Sequence, residues 1–516
     1  MFCSVLNDVL GPVMRGPSSS HTAGSYHIAL VVRQLLAAEP SKINIYFDLD
    51  GSYGKTYVQQ GVDQAFVTGL MGWKQTDKVF TVALEKARSQ GVEINFELTT
   101  LPQADHPNYV IIQVVGRGNQ HIEVEAKSIG GGTFQIVKVD GADMVLDGKS
   151  YVALLTVDGA DEDSTVCLCR QKYPKARVSS SLSDTGKLVV QLSANAPLSL
   201  DQFANLPTSA SCRLAKPVYY TQKGVALFSS AKELLRYATD HDCSLGEAVL
   251  EFEKTLLGLG EEEVIAEMLG RYAVMRQAVA DGLDDSKVNM QLLDPVAGKI
   301  MARVRAKKVA IGGIHSIAAA AAMAAMHTCN SRGIVCAAPT GGAAGTLPGV
   351  LTALEDECKI SSRQMALMLF AAGGIGLILA IRATFAAEVA GCQVEIGAAG
   401  AMAAAAVVEC AGGNARLACD AAAISFQNTM GSVCDLVQGT CELPCHTRNA
   451  VAASSAFTNA DMVMGGYINH IDLDETIDAV YATGLMLPRE LRCTSLGGLA
   501  LAPAAIALSR DKGCLC

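Results

Sequence analysis

Aromatic residues are scarce in this 516-residue chain, at 5% with a single tryptophan. Its cores must therefore rest largely on small aliphatic side chains, which suits helices whose axes approach closely. Basic residues are in deficit, 41 Lys and Arg against 51 Asp and Glu, for a formal net charge of −10. Without a basic footprint, nucleic acid is not an expected partner. No secretory leader is expected at Met1-Phe2-Cys3-Ser4-Val5, which reads as the start of a short amphipathic helix, and the seventeen cysteines form no regular framework. Both features point to a reducing compartment, the cytoplasm. Neither a Rossmann-type glycine fingerprint nor a pyridoxal-lysine site is recognisable, so no organic cofactor is expected. Long apolar runs are also few. The most tempting, Met365 to Ile381, has seventeen uncharged residues and contains Gly373-Gly374-Ile375-Gly376. That is the lower limit of spanning length, and a buried helix pair is expected there rather than a membrane span.

What is present is length and hydrophobicity. Half of the residues are hydrophobic, and a chain of this size divides into several domains. Residues 1–147 read as a mixed α/β domain with strands at 43–49, 109–115 and 122–126. Residues 150–205 read as a small β-α-β-β module, and residues 225–516 as an all-α domain that opens with the capped helix start Ser244-Leu245-Gly246-Glu247. The expected fold class is thus multidomain, α/β at the N-terminus and all-α at the C-terminus.

Three stretches carry chemistry. Ser18-Ser19-Ser20-His21-Thr22 places three serine hydroxyls, an imidazole and a threonine just before a helix, a capping arrangement that can also receive an anion. Pro339-Thr340-Gly341-Gly342-Ala343-Ala344-Gly345 lies at another helix start and can form a backbone-lined concavity suited to a carboxylate. The third stretch runs from Gly391-Cys392-Gln393-Val394-Glu395-Ile396-Gly397 through Gly431-Ser432-Val433-Cys434-Asp435 to Pro444-Cys445-His446-Thr447-Arg448-Asn449. Its cysteines Cys392, Cys434 and Cys445 lie 42 and 11 residues apart, unlike any compact metal motif. A buried cysteine is most often a small hydrophobe, but each of these three sits beside a Gly, Pro or Asp that interrupts a helix.

These motifs, together with Gly51-Ser52-Tyr53-Gly54-Lys55-Thr56-Tyr57, Ser128-Ile129-Gly130-Gly131-Gly132 and Ser495-Leu496-Gly497-Gly498, resemble the iron-sulfur-dependent L-serine dehydratase family in its fused form, β domain before α domain. The resemblance implies a [4Fe-4S] cluster held by Cys392, Cys434 and Cys445, with one iron left open for the substrate and able to act as a Lewis acid on its β-hydroxyl. It implies β-elimination of water from L-serine to give pyruvate and ammonia. Ser18, Ser19, Ser20, Thr22, Thr340, Gly341, Gly342, Arg448 and Asn449 become candidate substrate contacts. The tail cysteine Cys516, with Cys514 as competitor, becomes a candidate fourth ligand. Cys410, Cys419 and Cys441 match no ligand position and are expected to pack between helices. The module at 150–205 is similar to ACT-type regulatory modules.

One position departs from the family pattern. Gln60, in Gln59-Gln60-Gly61-Val62-Asp63, stands where the family has a histidine, and an amide cannot move a proton at neutral pH. His21 is then the expected catalytic imidazole. Alternative readings are a cysteine desulfidase or related β-elimination lyase, and a catalytically silent amino-acid sensor. The expected partners are a small amino acid and a second copy of the chain in a homodimer, with no membrane.

Overall fold

The computed structural model describes residues 3–158, 161–203 and 211–508. It divides into two compact units, Ser20–Lys223 and a second made of Met1–Ser19 with Gly224–Cys516. The first nineteen residues therefore depart from the expected 1–147 domain and join the helical unit.

Their attachment has a clear cause. Strand Val13–Arg15 pairs antiparallel with Ile334–Cys336. The buried Glu253 carboxylate accepts from the Ser4 hydroxyl and from the backbone N–H groups of Val5 and Leu6. Arg271 Nε donates to the Leu10 carbonyl at 2.6 Å. A helical turn at Val5–Val9 is thereby satisfied at its N-terminus by a side chain 248 residues away.

The rest of this unit is α-helical, with the short strand Ile334–Cys336 as an exception. Ser244 and Glu247 form a capping box at the start of helix Leu245–Leu257, which ends on the left-handed Gly258. The apolar stretch forms one continuous helix, Ser362–Arg382, rather than a helix pair. Its mid-helix glycines are tolerated because neighbours press on them. A Cβ on Gly374 would lie 2.5 Å from Val249 Cγ2, and one on Gly376 would collide with Val9 Cγ1. This helix and Cys392–Cys410 are long and apolar enough to cross a membrane, yet 78% and 89% of their most apolar windows are buried inside the protein. Alanine-rich Ile396–Cys410 packs against Ser362–Arg382, Ala415–Thr429 and Cys445–Met464.

The other unit is built on a six-stranded sheet in the order Glu93–Thr99, Pro40–Asp48, Tyr109–Gly116, His121–Gly130, Thr133–Val139, Ala142–Leu146. Only the first pair is parallel, and its crossover runs through Ser52–Thr56, Val62–Leu70 and Ala83–Ser89. Alternating burial along Tyr109–Gly116 marks one face for the core, and helix Gly24–Leu36 packs onto the sheet.

A second, four-stranded antiparallel sheet has the order Ser211–Ala215, Tyr151–Val157, Leu188–Ala194, Arg177–Leu182, with helix Glu162–Lys172 packed on it. Numbered along the chain, that order is 4-1-3-2, as in a split β-α-β arrangement. Among the described residues the connection from its third strand to its fourth contains only the turn Leu200–Phe203.

Candidate metal centre and active site

Each of the three singled-out cysteines is placed by a helix interruption. Gly391, at φ +76, turns the chain into the short 3-10 turn Cys392–Val394; a side chain there would press on Leu487 Cδ1 and the Ser432 carbonyl, both at 2.7 Å. Buried Gln393 latches this turn to the next loop, its Nε2 donating to the Ala390 carbonyl and its Oε1 accepting from the Gly431 N–H. Cys434 is fixed by backbone bonds to Leu491 and Cys493. Cys445 is the first residue of helix Cys445–Met464 and follows Pro444.

All three thiols are buried, and Cys392 and Cys434 stand together, whereas Cys445 lies outside their group and has Cys441 as its thiol partner. Cys392 and Cys434 are hydrogen-bonded, and with a carboxylate oxygen of Glu395 they form a group whose ligand atoms all lie within 4.8 Å of one another. Cys434 also touches Cys493, and Cys445 touches Cys441. The Cys441 thiol holds the Cys445 thiol below its ordinary pKa, with the Arg448 guanidinium adding to the effect. The hydrogen bond from Cys434 and then burial push Cys392 up.

Three residues here were missed or placed differently by the sequence reading. Cys441 lies in the loop before Cys445 rather than packing between helices as expected, whereas Cys410 and Cys419 do lie in helices. Cys493, with φ +57, sits against Cys434. The Cys441-Glu442-Leu443-Pro444-Cys445 spacing was the available signal for the first; nothing local marks the second. Glu395 was quoted only as part of a motif. Burial and the neighbouring Glu388 carboxylate raise its pKa to about 8, while the Thr340 hydroxyl, hydrogen-bonded to it, acts the other way.

Arg448 lies over this cluster of groups. Its Nη2 pairs with Asp435 at 2.9 Å, its Nη1 donates to the Val433 carbonyl at 2.9 Å, and Nη1 lies 3.9 Å from Cys392 Sγ. Asp435 is held in turn by the Leu499 N–H at 2.8 Å. The Gly497-Gly498 motif is thereby explained: Gly498, at φ +61, has room for no side chain against Asp435.

The glycine-rich stretch also converges here. The Gly341 N–H donates to Ser19 Oγ at 3.1 Å, and a Cβ on Gly341 would lie 2.8 Å from Ser19 N and 2.9 Å from the Pro17 carbonyl. Ser18 and Ser19 thus pack on Gly341 from more than 300 residues away. Asn449 is saturated: its Oδ1 accepts from the Gly345 and Thr346 N–H groups and the Thr346 hydroxyl, and its Nδ2 donates to the Gly342 and Cys445 carbonyls. It is therefore a strut joining the glycine-rich loop to the Cys445 helix, and the direct substrate contact expected of it would break these bonds.

Ser20, His21 and Thr22 belong to the other unit. His21 is fully buried, with Nδ1 3.0 Å from the Ser20 hydroxyl and Nε2 2.9 Å from the Ser52 hydroxyl, and it stands edge-on to Tyr53 at 5.4 Å. Hydroxyls can donate or accept, so this ring can hold its proton on either nitrogen. Thr22 Oγ1 donates to the Gln60 carbonyl. The Gln60 side chain is 1% exposed, and neither its amide nitrogen nor its oxygen is hydrogen-bonded. Cys514 and Cys516 lie outside the described residues.

The helical unit thus gathers thiols, a carboxyl and a guanidinium at its helix breaks, a donor set that could hold a metal. Residues 230–500 match the family model described as serine dehydratase alpha chain, and residues 10–138 the one described as serine dehydratase beta chain. The chain belongs to the L-serine dehydratase family, with its β and α portions fused in that order. Relatives include the probable L-serine dehydratase, alpha chain, of Bacillus subtilis (strain 168), 36% identical over 284 residues, which are 55% of this chain and 95% of the relative. The L-serine dehydratase, alpha chain, of Peptoniphilus asaccharolyticus is 31% identical over 286 residues, 55% and 98% of the two chains. A probable alpha chain from Latilactobacillus sakei is 44% identical over 178 residues, 34% and 85%.

Proposed function

We propose that this chain is an iron-sulfur L-serine ammonia-lyase, with Cys392, Cys434 and Cys445 holding a [4Fe-4S] cluster. The observation that supports the reading is the donor set: the buried Cys392 and Cys434 thiols stand together with Glu395, Cys445 is near enough to Cys392 to raise its pKa, and soft thiolates favour iron-sulfur clusters, with the Arg448 guanidinium 3.9 Å from Cys392 Sγ to offset their negative charge. When bound, the cluster supplies a Lewis acid for the departing β-hydroxyl.

The chain's own residues do the rest. Ser19 and Thr340–Gly342 receive the substrate carboxylate. His21, held between two hydroxyls, takes the α-proton and returns it to the departing hydroxide, which leaves as water. The resulting aminoacrylate tautomerises to an imine and takes up water to release pyruvate and ammonia. Gln60 cannot replace His21 in proton transfer. Nothing favours a desulfidase or a silent sensor.

In the same reading the enzyme is a cytoplasmic homodimer, and the sheet at 150–205 is an ACT-like effector module. Anaerobic reconstitution followed by iron and sulfide analysis and a pyruvate assay tests the proposal. Four irons and four sulfides per chain with serine-dependent pyruvate are expected; pyruvate formation by iron-free protein sinks it.

A further inference from the structure

Glu395 is a carboxyl with no evident structural task. Three buried carboxylates of the helical unit are committed: Asp435 to Arg448 and the Leu499 N–H, Glu442 to the backbone N–H groups of Gln291, Leu292 and Leu293, and Glu409 to Ser244 and Gly246. Among the described residues the nearby Thr340 hydroxyl is the side chain that favours the charged form of Glu395, and no Lys or Arg forms an ion pair with it. Its oxygen stands within 4.8 Å of the Cys392 and Cys434 sulfurs, and the Cβ position of Gly342 is 3.5 Å from its Oε2. It therefore borders both the thiols and the glycine-rich loop.

Holding this carboxyl as an anion beside thiolates is costly unless a cation joins it. An amino-acid substrate brings one. We propose that Glu395 receives the α-ammonium group of the substrate and so selects amino acids over hydroxy acids of the same shape. This rests on the function proposed above: with the hydroxyl and carboxylate placed as described there, the ammonium is the one charged group of serine without a partner.

The test uses anaerobic, cluster-loaded protein and two ligands, L-serine and 3-hydroxypropionate, which is serine without its ammonium. Binding is read from the visible absorption of the cluster and from ligand-induced thermal stabilisation. Wild type should prefer serine. Glu395→Gln should keep its full iron content, lose about 10- to 100-fold in serine affinity, as for a charge-assisted hydrogen bond, and bind 3-hydroxypropionate as wild type does. KM should rise more than kcat falls.

A Glu395→Gln variant that retains the preference overturns the assignment, as does one that loses iron, because Glu395 would then be a ligand. Should the variant fail to fold, a wild type that binds the two ligands equally overturns it as well. Wild type that holds a cluster and makes no pyruvate from serine defeats the functional reading too, which separates the two failures.

Discussion

The two units solve packing in opposite ways. The helical unit uses alanine and glycine, so that Gly374 meets Val249 and Gly376 meets Val9 almost backbone to side chain. The α/β unit collects the chain's scarce rings: Phe47 lies 5.3–6.3 Å from the rings of Tyr53, Tyr57, Phe66 and Phe96. The chemistry follows the packing. Interlocked small-residue helices leave reactive groups to the places where they break, which is where Cys392, Cys434 and Cys445 stand. In the α/β unit the imidazole of His21 is set against a ring, Tyr53, and between hydroxyls. An average aromatic content of 5% conceals this division of labour.

The largest effect expected from this contrast is all-or-none. Cys434→Ala should abolish bound iron and activity, while Cys419→Ala, inside a helix, should leave both intact; iron analysis with visible absorption decides, and a full cluster in Cys434→Ala breaks the assignment of the helix interruptions. In stability, Phe47→Ala should cost about 3–5 kcal/mol and Gly376→Val, an overpacking change, about 1–3 kcal/mol. Denaturant unfolding that ranks them the other way would overturn the view that rings dominate one core and close approach the other.

For the imidazole, His21→Ala with intact iron should lose at least about two orders of magnitude in turnover, and His21→Asn should be no better. Recovery of most of the rate by Asn would make His21 structural.

The smallest effect concerns His27, which burial lowers to about 4 although the Gly132 carbonyl opposes the shift. A folded pKa below the ordinary 6.5 means that the unfolded chain takes up the proton first. The contribution of neutral His27 is therefore complete above about 6.5 and lost as the pH falls towards 4, by at most about 1.4 kcal/mol per pH unit. Unfolding of His27→Gln between pH 7 and 4 should show a shallower slope than wild type; an unchanged slope refutes it.

Much of this was legible in the residues. Capping at Ser244 and Glu247, the strands around residues 43–49 and 109–115 and the helix breaks at Gly391 and Pro444 follow from local rules, and the order of motifs gave the family. What was not legible is long-range or conformational. Strand Glu93–Thr99 has an exposed, charged face and little alternation, so its parallel partner Pro40–Asp48 defines it. Cys493 reaches Cys434 only through a backbone pairing between segments some 60 residues apart. Asn449 reads as a polar residue beside a cysteine, and only the folded loop reveals that every one of its hydrogen bonds is used.

The attachment of Met1–Ser19 to the helical unit has a temporal consequence. At about 5–20 residues per second, strand Ile334–Cys336 leaves the ribosome roughly 15–60 s after the strand it pairs with, and Ser20–Lys223 is made in between. The leading segment thus waits over that interval for its partner strand, although Glu253 and Arg271 are made sooner. A bulky fusion ahead of Ser4 would obstruct its docking on Glu253, so a carboxy-terminal fusion is the gentler choice for this part of the molecule.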